Sequence, residues 1–538
     1  MSRRNLSRRR FLQAATGLVA CGGTQALLPQ LDLLGTALAG TTTSDYRALV
    51  CVFLAGGNDS WNMLLPADSE RHAIYTATRN GLYNGVSNTS GLAVPRPGDP
   101  NTVPGQTLPE ALALTGTDLA VNPFMPEVAQ LFDEGSLAFT ANVGTLIEPV
   151  TRADFNGRAT PPQLFSHNDQ SDLWRAGTGD GSVVSEGWGG RIAGSVALPS
   201  TQTAGLPPAI SISGQTRFLV GTASNGAPIV PYTLTTSDTQ PAAALAFYGA
   251  DNPPGQFQPA RRAALEELLA ASSEHLFAGG YRDVLGRAID LAETVVNPSI
   301  LAIPADDPVN GGGDTGFDWP DSNIAAQLQQ VARMIRISRP GTGPSVPIDA
   351  NRQVFYVTLG GFDTHAAQIT SASNATGHHA LLEQLSQGVN AFQRAMEALG
   401  ITDEVTLFSM SDFARTLNSN GNGTDHAWGS VQFAVGGAVN GGQVYGRYPS
   451  VTLDNAIGGA GAISPDLGES LSRGQFLPTT AVDQYAATFA RWMGVADADL
   501  PAIFPNIDNF VSGPFADAAV TPTFASFTRT VPGLVAGV

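Results

Sequence analysis

The chain has 538 residues, enough for two domains or for one large α/β unit with insertions. Hydrophobic residues make up 43% and charged residues only 14%, which supplies a sizeable core and argues against disorder. The formal charge of −18 argues against nucleic acid and anionic membrane as partners. Every one of the 28 basic residues is Arg, which removes the P-loop lysine, Schiff-base and lysine general-base chemistry. Cys21 and Cys51 are too few for a disulfide framework or a thiolate metal site.

In chain order, Ser7-Arg8-Arg9-Arg10-Phe11-Leu12 precedes an apolar, uncharged stretch that runs to Cys21. A basic start, paired arginines and a short apolar run read as a twin-arginine export signal, with Ala37-Leu38-Ala39 as the small-x-small cleavage pattern. The expectation is a signal peptide over residues 1–39 and a periplasmic or extracellular protein over 40–538. Leu18-Val19-Ala20-Cys21 also resembles a lipoprotein processing site, so anchoring at Cys21 stays open. No other stretch is apolar for the roughly 18 residues that a membrane span requires.

Four apolar runs ending at Gly or a polar turn predict buried parallel strands: Ala48–Leu54, Leu137–Asn142, Gln353–Leu359 and Val405–Met410. Helical patterns fall at Pro126–Asp133, Arg261–Val296 (long enough for two helices), Ile324–Ile337 and His379–Leu399. The alternation predicts an α/β fold with a mostly parallel central sheet flanked by helices. From Pro199 the pattern changes to short β-like pieces, and Asp306–Pro320 is loop-like with Gly311-Gly312-Gly313. Residues 199–320 therefore read as an inserted β-rich and helical cap.

Acids and histidines gather where these strands end. Gly56-Gly57-Asn58-Asp59-Ser60 follows the first, and Gly360-Gly361-Phe362-Asp363-Thr364-His365 the third. Ser411-Asp412-Phe413-Ala414-Arg415 follows the fourth, with Asp425-His426 ten residues on. The carboxyl ends of parallel strands share one edge, where ligands bind, so distant residues would converge there. Asp and His without Cys suit Zn, Mn or Mg, one ion or two. Taken singly, Asp363 and His365 also fit an Asx-turn and Asp59 a helix cap.

Phe165-Ser166-His167-Asn168-Asp169-Gln170-Ser171 is a further polar cluster. Ser166 or Ser171 is a nucleophile candidate and His167 a ligand or acid, with a hydrogen-bonded loop as the structural alternative. Arg415 is placed to clamp a developing oxyanion or to pair with Asp412 or another acid. His378 and His379 read as a solvated helix end, and His72 and His275 as incidental surface residues. No Gly-x-Ser-x-Gly elbow is present, and Gly436–Gly442 lacks the spacing of a nucleotide fingerprint.

These motifs resemble the DUF1501 family of exported bacterial proteins, placed in the alkaline phosphatase/sulfatase-like superfamily. The matching stretches include FLAGGNDSWNMLLP from Phe53, FSHNDQSDLW from Phe165, TLGGFDTHAAQ from Thr358 and SDFARTLNSNGNGTDHAWGS from Ser411. The resemblance implies an alkaline-phosphatase-like sheet with metals at its carboxyl edge. Asp59, Asp363, His365, Asp425 and His426 would be ligands, and Ser166 would stand nearest the nucleophile position. Many relatives resemble Asp-His-Ala-Trp-Gly-x-His-His-Phe, whereas this chain has Gly429-Ser430-Val431-Gln432-Phe433 and no histidine after His426. Asn122-Pro123 stands where relatives often carry His before Pro. The reading is an exported metal-dependent hydrolase of small-molecule or polymer phosphate or sulfate esters, with Arg415 steadying charge. The rival is a non-catalytic envelope, matrix or glycan-binding protein that keeps the fold.

Overall fold

The computed structural model describes residues 46–536 apart from 84–90, 100–101, 104–105, 154, 183–184, 197–206, 238–241, 243–257, 271–275, 340–349, 371–375, 452–468 and 512–528. The twin-arginine segment, the cleavage pattern, Cys21 and His275 lie outside the described residues.

Among the described residues nine strands form the central sheet: β1 (Arg47–Ala55), β2 (Leu137–Gly144), β3 (Ala209–Ser211), β4 (Tyr232–Thr233), β5 (Arg352–Gly360), β6 (Val405–Ser411), β7 (Ser430–Val435), β8 (Gln443–Gly446) and β9 (Thr480–Ala481). Their spatial order is β4-β3-β5-β1-β6-β7-β2-β8, with β9 also pairing β2. Every pair is parallel except those made by β7, which runs antiparallel to both β6 and β2. All four strands predicted from sequence thus run the same way, and β7 is a reversed strand that the apolar runs did not reveal.

The continuous apolar run of β1 is explained by burial on both faces. Val50, Val52 and Leu54 enter one core with Phe355, Val357 and Leu407. Leu49, Cys51 and Phe53 enter the other with Val354, Tyr356 and Phe408. Helices cover both faces. The first core takes apolar residues of α2 (Pro126–Asp133), α5 (Asn323–Ser338) and α6 (His378–Ala398), after α1 (Ser69–Thr78). The second takes residues of α4 (Trp188–Val196) and α7 (Val482–Met493), together with Trp174 of α3 (His167–Ala176).

Within 199–320, β3 and β4 extend the edge of the central sheet, and two helices follow at Gln258–Ala270 and Leu276–Leu291. Three histidines correct the sequence reading. His72 is 6% exposed, with Nε2 donating to the Val94 carbonyl at 2.8 Å. His378 and His379 open α6 but are wholly buried, His379 lying against Tyr83 and Phe124. Among the described residues no helix is long and apolar enough to cross a membrane.

Candidate metal centre

The turn after β1 brings the strand ends together. Gly56 and Gly57 have φ of +112° and +75°, a backbone region that side chains disfavour. A Cβ on Gly56 would stand 2.4 Å from the Asp363 amide nitrogen, and one on Gly57 2.5 Å from the Phe413 ring. The turn is then latched to the end of β6. Gly56 N–H donates to Asp412 at 3.1 Å, and Asn58 N–H to Ser411 Oγ at 2.9 Å. Beyond β6 the chain forms a hairpin, Arg415–Ser419 with Thr424–His426. Its tip grips the loop after β5: Asn420 donates to the His365 carbonyl at 3.0 Å, and Ala367 N–H to Asn422 at 3.1 Å.

The result is a convergence of His167, Asp363, His365 and His426, whose ligand atoms all lie within 4.8 Å of one another. The other nitrogen of each ring fixes its tautomer. His426 Nδ1 is 2.6 Å from the Phe165 carbonyl, which only accepts, so Nδ1 carries the hydrogen. His167 Nδ1 lies 2.7 Å from Asp412 Oδ2, and His365 Nδ1 3.3 Å from Asp425 Oδ1. With Nδ1 protonated, Nε2 of each neutral ring is a lone pair; in its other tautomer His365 would donate Nε2–H to His426. His365 and His426 point Nε2 at each other across 2.7 Å, and the buried His167 Nε2 lies 3.3 Å from Asp363 Oδ1. Acceptors facing acceptors repel unless a proton or a cation sits between them. Carboxylate and carbonyl partners on the outer nitrogens are also the usual support of metal-bound imidazoles.

Charge at the centre follows from its neighbours. Burial works to raise the Asp363 pKa, but the hydrogen bond and charge of Arg415 hold it below the ordinary value. Burial depresses His426, with the Phe165 carbonyl opposing and the nearby His167 and Arg415 reinforcing. The carboxylate is thus ionised and His426 neutral at neutral pH. Phe165, which orients His426, has φ +72°. A bulky residue held in that region costs on the order of 1–3 kcal/mol, and such strain gathers at functional sites.

The structure thus brings Asp363, His365 and His426 together and adds His167, which the sequence left between ligand, acid and loop. The signal for His167 was its place in a dense polar cluster at a helix start; what it lacked was Asp412, 245 positions away. Asp425 stands one step out, shared between His365, Asn420 and Arg473. Asp59 is not in the group. Its carboxylate is wholly buried against Arg79, at 2.6 and 2.8 Å, and accepts from Gln368 at 2.6 Å. Arg415 is wholly buried and donates to the carbonyls of Gly56, Gly57 and Thr424 and to Asp363, not to Asp412. Ser166 donates to Asp169 at 2.5 Å on the exposed first turn of α3.

An open groove of about 480 Å³ adjoins the centre, lined in part by His167, Ser171, Arg175, Gly361 and Asp363.

Fold and centre together define a mixed α/β protein with a large, mostly parallel sheet and a His/Asp group able to hold a metal ion at its carboxyl edge. Residues 347–458 match the family described as "Protein of unknown function (DUF1501)"; this stretch contains Asp363, His365, Asp425 and His426. No curated protein matches the chain. Among solved structures, the PsFucS1 sulfatase from Pseudoalteromonas sp. is similar at 10% identity and a TM-score of 0.30, over 87% of this chain and 71% of that one. Ps i-CgsB in complex with k-i-k-neocarrahexaose is similar at 10% and 0.28, over 86% and 76%. A mutant of alkaline phosphatase PafA is similar at 9% and 0.22, over 70% and 64%. All three likenesses are remote.

Proposed function

We propose that the chain is an exported hydrolase of phosphate or sulfate esters that depends on one divalent ion held by His167, Asp363, His365 and His426. The observation that carries this reading is the 2.7 Å approach of two imidazole Nε2 atoms beside a carboxylate, with a third imidazole nitrogen 3.3 Å from that carboxylate. Three imidazoles and one carboxylate suit zinc better than magnesium, which prefers an oxygen shell. When bound, such an ion supplies Lewis acidity toward the ester oxygens.

The chain's own groups do the positioning. Asp412, Asp425 and the Phe165 carbonyl hold the three rings in the tautomer that leaves Nε2 free. Arg415 is a positioning residue, since its donors are spent on the Gly56-Gly57 turn, Thr424 and Asp363. With the Ser166 hydroxyl engaged by Asp169, the nucleophile this arrangement favours is water, which reaches the centre along the groove. The groove's openness suits a polymer ester as well as a small one.

One observation favours the rival reading. Four protein ligands fill a tetrahedral shell, which is the habit of structural rather than catalytic zinc. The deciding experiment measures metal content and turnover of nitrophenyl phosphate and sulfate on the same purified protein. Bound metal with turnover, both lost in His426→Ala, supports the hydrolase. Bound metal with no turnover on either ester supports a secreted structural or binding protein. A protein that takes up no divalent ion defeats both.

A further inference from the structure

The α3 helix carries more than a ligand into the groove. His167, Ser171 and Arg175 lie four residues apart, a spacing that keeps them on one slowly turning face, and all three line the groove. Eight residues of helix separate His167 from Arg175, about 12 Å along the axis. The groove therefore has the candidate centre at one end and a guanidinium at the other.

Arg175 is held but not neutralised. Its guanidinium carbon lies 4.4 Å from the centre of the Phe53 ring, and the side chain hydrogen-bonds Tyr356. The nearest carboxylate, Asp172, is 3.9 Å away and pairs more closely with Arg217 at 2.9 Å. Arg175 Nε is buried without a hydrogen-bond partner. A guanidinium's planar fork can take two oxygens of one anion. Asp172, which also lines the groove, is shared between two guanidiniums, so Arg175 keeps positive charge to offer an anion.

We infer that Arg175 binds a second acidic group on the substrate, on the order of 10 Å from the group at the metal centre. The ligand class is a molecule with two separated anions (sulfate, phosphate or carboxylate), as in a polyanionic polymer. This deepens the hydrolase reading and rests on it for the ester at the other end.

Binding to the zinc-loaded protein tests the inference without reading hydrolysis. The probes are hexanediol bisphosphate and bissulfate, each against its single-ended hexyl monoester, titrated by calorimetry. The expected result is binding of at least one two-ended probe about tenfold tighter than its monoester, the stronger arm showing which acid the subsite prefers. In Arg175→Gln that preference disappears while monoester binding and zinc content stay unchanged. Arg175→Lys keeps charge without the fork and should retain only part of the preference; it carries the test if the glutamine variant fails to fold. A wild type that binds both ends alike, that binds no probe, or whose preference survives both substitutions overturns the inference. A preference that depends on Arg175 in a protein that cleaves no ester keeps the subsite and defeats the hydrolase. Cleavage with no such preference does the reverse.

Discussion

The Nε2 atoms of His365 and His426 face each other at 2.7 Å although the second nitrogen of each ring is already committed to an acceptor. With Nδ1 protonated on both, neither neutral ring has a hydrogen to offer the other. A cation there would resolve the conflict, and the ligand atoms of Asp363 and His167 lie within the same 4.8 Å.

The first prediction concerns the groups behind the rings. Asp412→Asn and Asp425→Asn leave every direct ligand in place but weaken the hold on His167 and His365. Such outer changes typically cost about 10–100-fold in metal affinity. Competition titration against a chromophoric chelator should show a loss of that size in each variant, and a larger one in His426→Ala. Affinity unchanged in all three would mean that the rings serve no ion.

The second separates Asp59 from the centre. Removing one partner of a buried ion pair leaves an uncompensated charge and costs about 3–5 kcal/mol. Asp59→Ala is therefore expected to lower the unfolding free energy by that amount, read from denaturant melts, while the folded protein keeps any metal it binds. Asp59→Leu combined with Arg79→Met should recover much of the stability. Loss of metal in Asp59→Ala, with the fold intact, would restore Asp59 to the ligand set.

The third uses the glycine turn. Gly56→Ala places a methyl where the Asp363 amide stands, at a φ of +112°. The loop carrying Asp363 and His365 must shift, so metal affinity should fall at least tenfold, with a destabilisation of about 1–3 kcal/mol. Gly98→Ala, at φ +72° in open space, should show strain alone and keep its affinity.

The fourth is a pH effect outside the candidate centre. Asp483, in the first turn of α7, is wholly buried; burial lifts its pKa to about 8, with Arg191 only partly opposing. The native state then keeps a proton that the unfolded chain releases near pH 4. Its contribution is fully present below the unfolded value and is lost as pH rises through about 8. Asp483→Asn should match the wild type near pH 4 and exceed it by several kcal/mol at about pH 9. Urea midpoints across that range check the sign: a gap that shrinks as pH rises would place the proton elsewhere.

Much of this architecture was legible because the strands are mostly apolar, their few polar residues being Thr, Ser and a terminal Gln or Asn. Ala48–Leu54 and Val405–Met410 are buried on both faces, so no polar alternation hides them. Ser430–Val435 escaped notice because Gln432 interrupts its apolar character. In the fold that amide is buried between Ser409 and Ser430, a partnership that no local pattern signals. The site divides the same way. Asp363 and His365 follow a strand directly, and His426 lies in the hairpin just beyond another, so their positions could be read. Asp59 also follows a strand, yet Arg79 claims its carboxylate from 20 residues on. His378 and His379 looked solvated at a helix start, but Asn58 meets the first and aromatic rings enclose the second.

The left-handed kink at Phe165 has a mechanical meaning. Its carbonyl ties α3, which carries His167, to the hairpin that ends at His426, 261 positions later in the chain. With the loop that carries Asp363 and His365, three remote stretches of polypeptide are thus stitched at one knot.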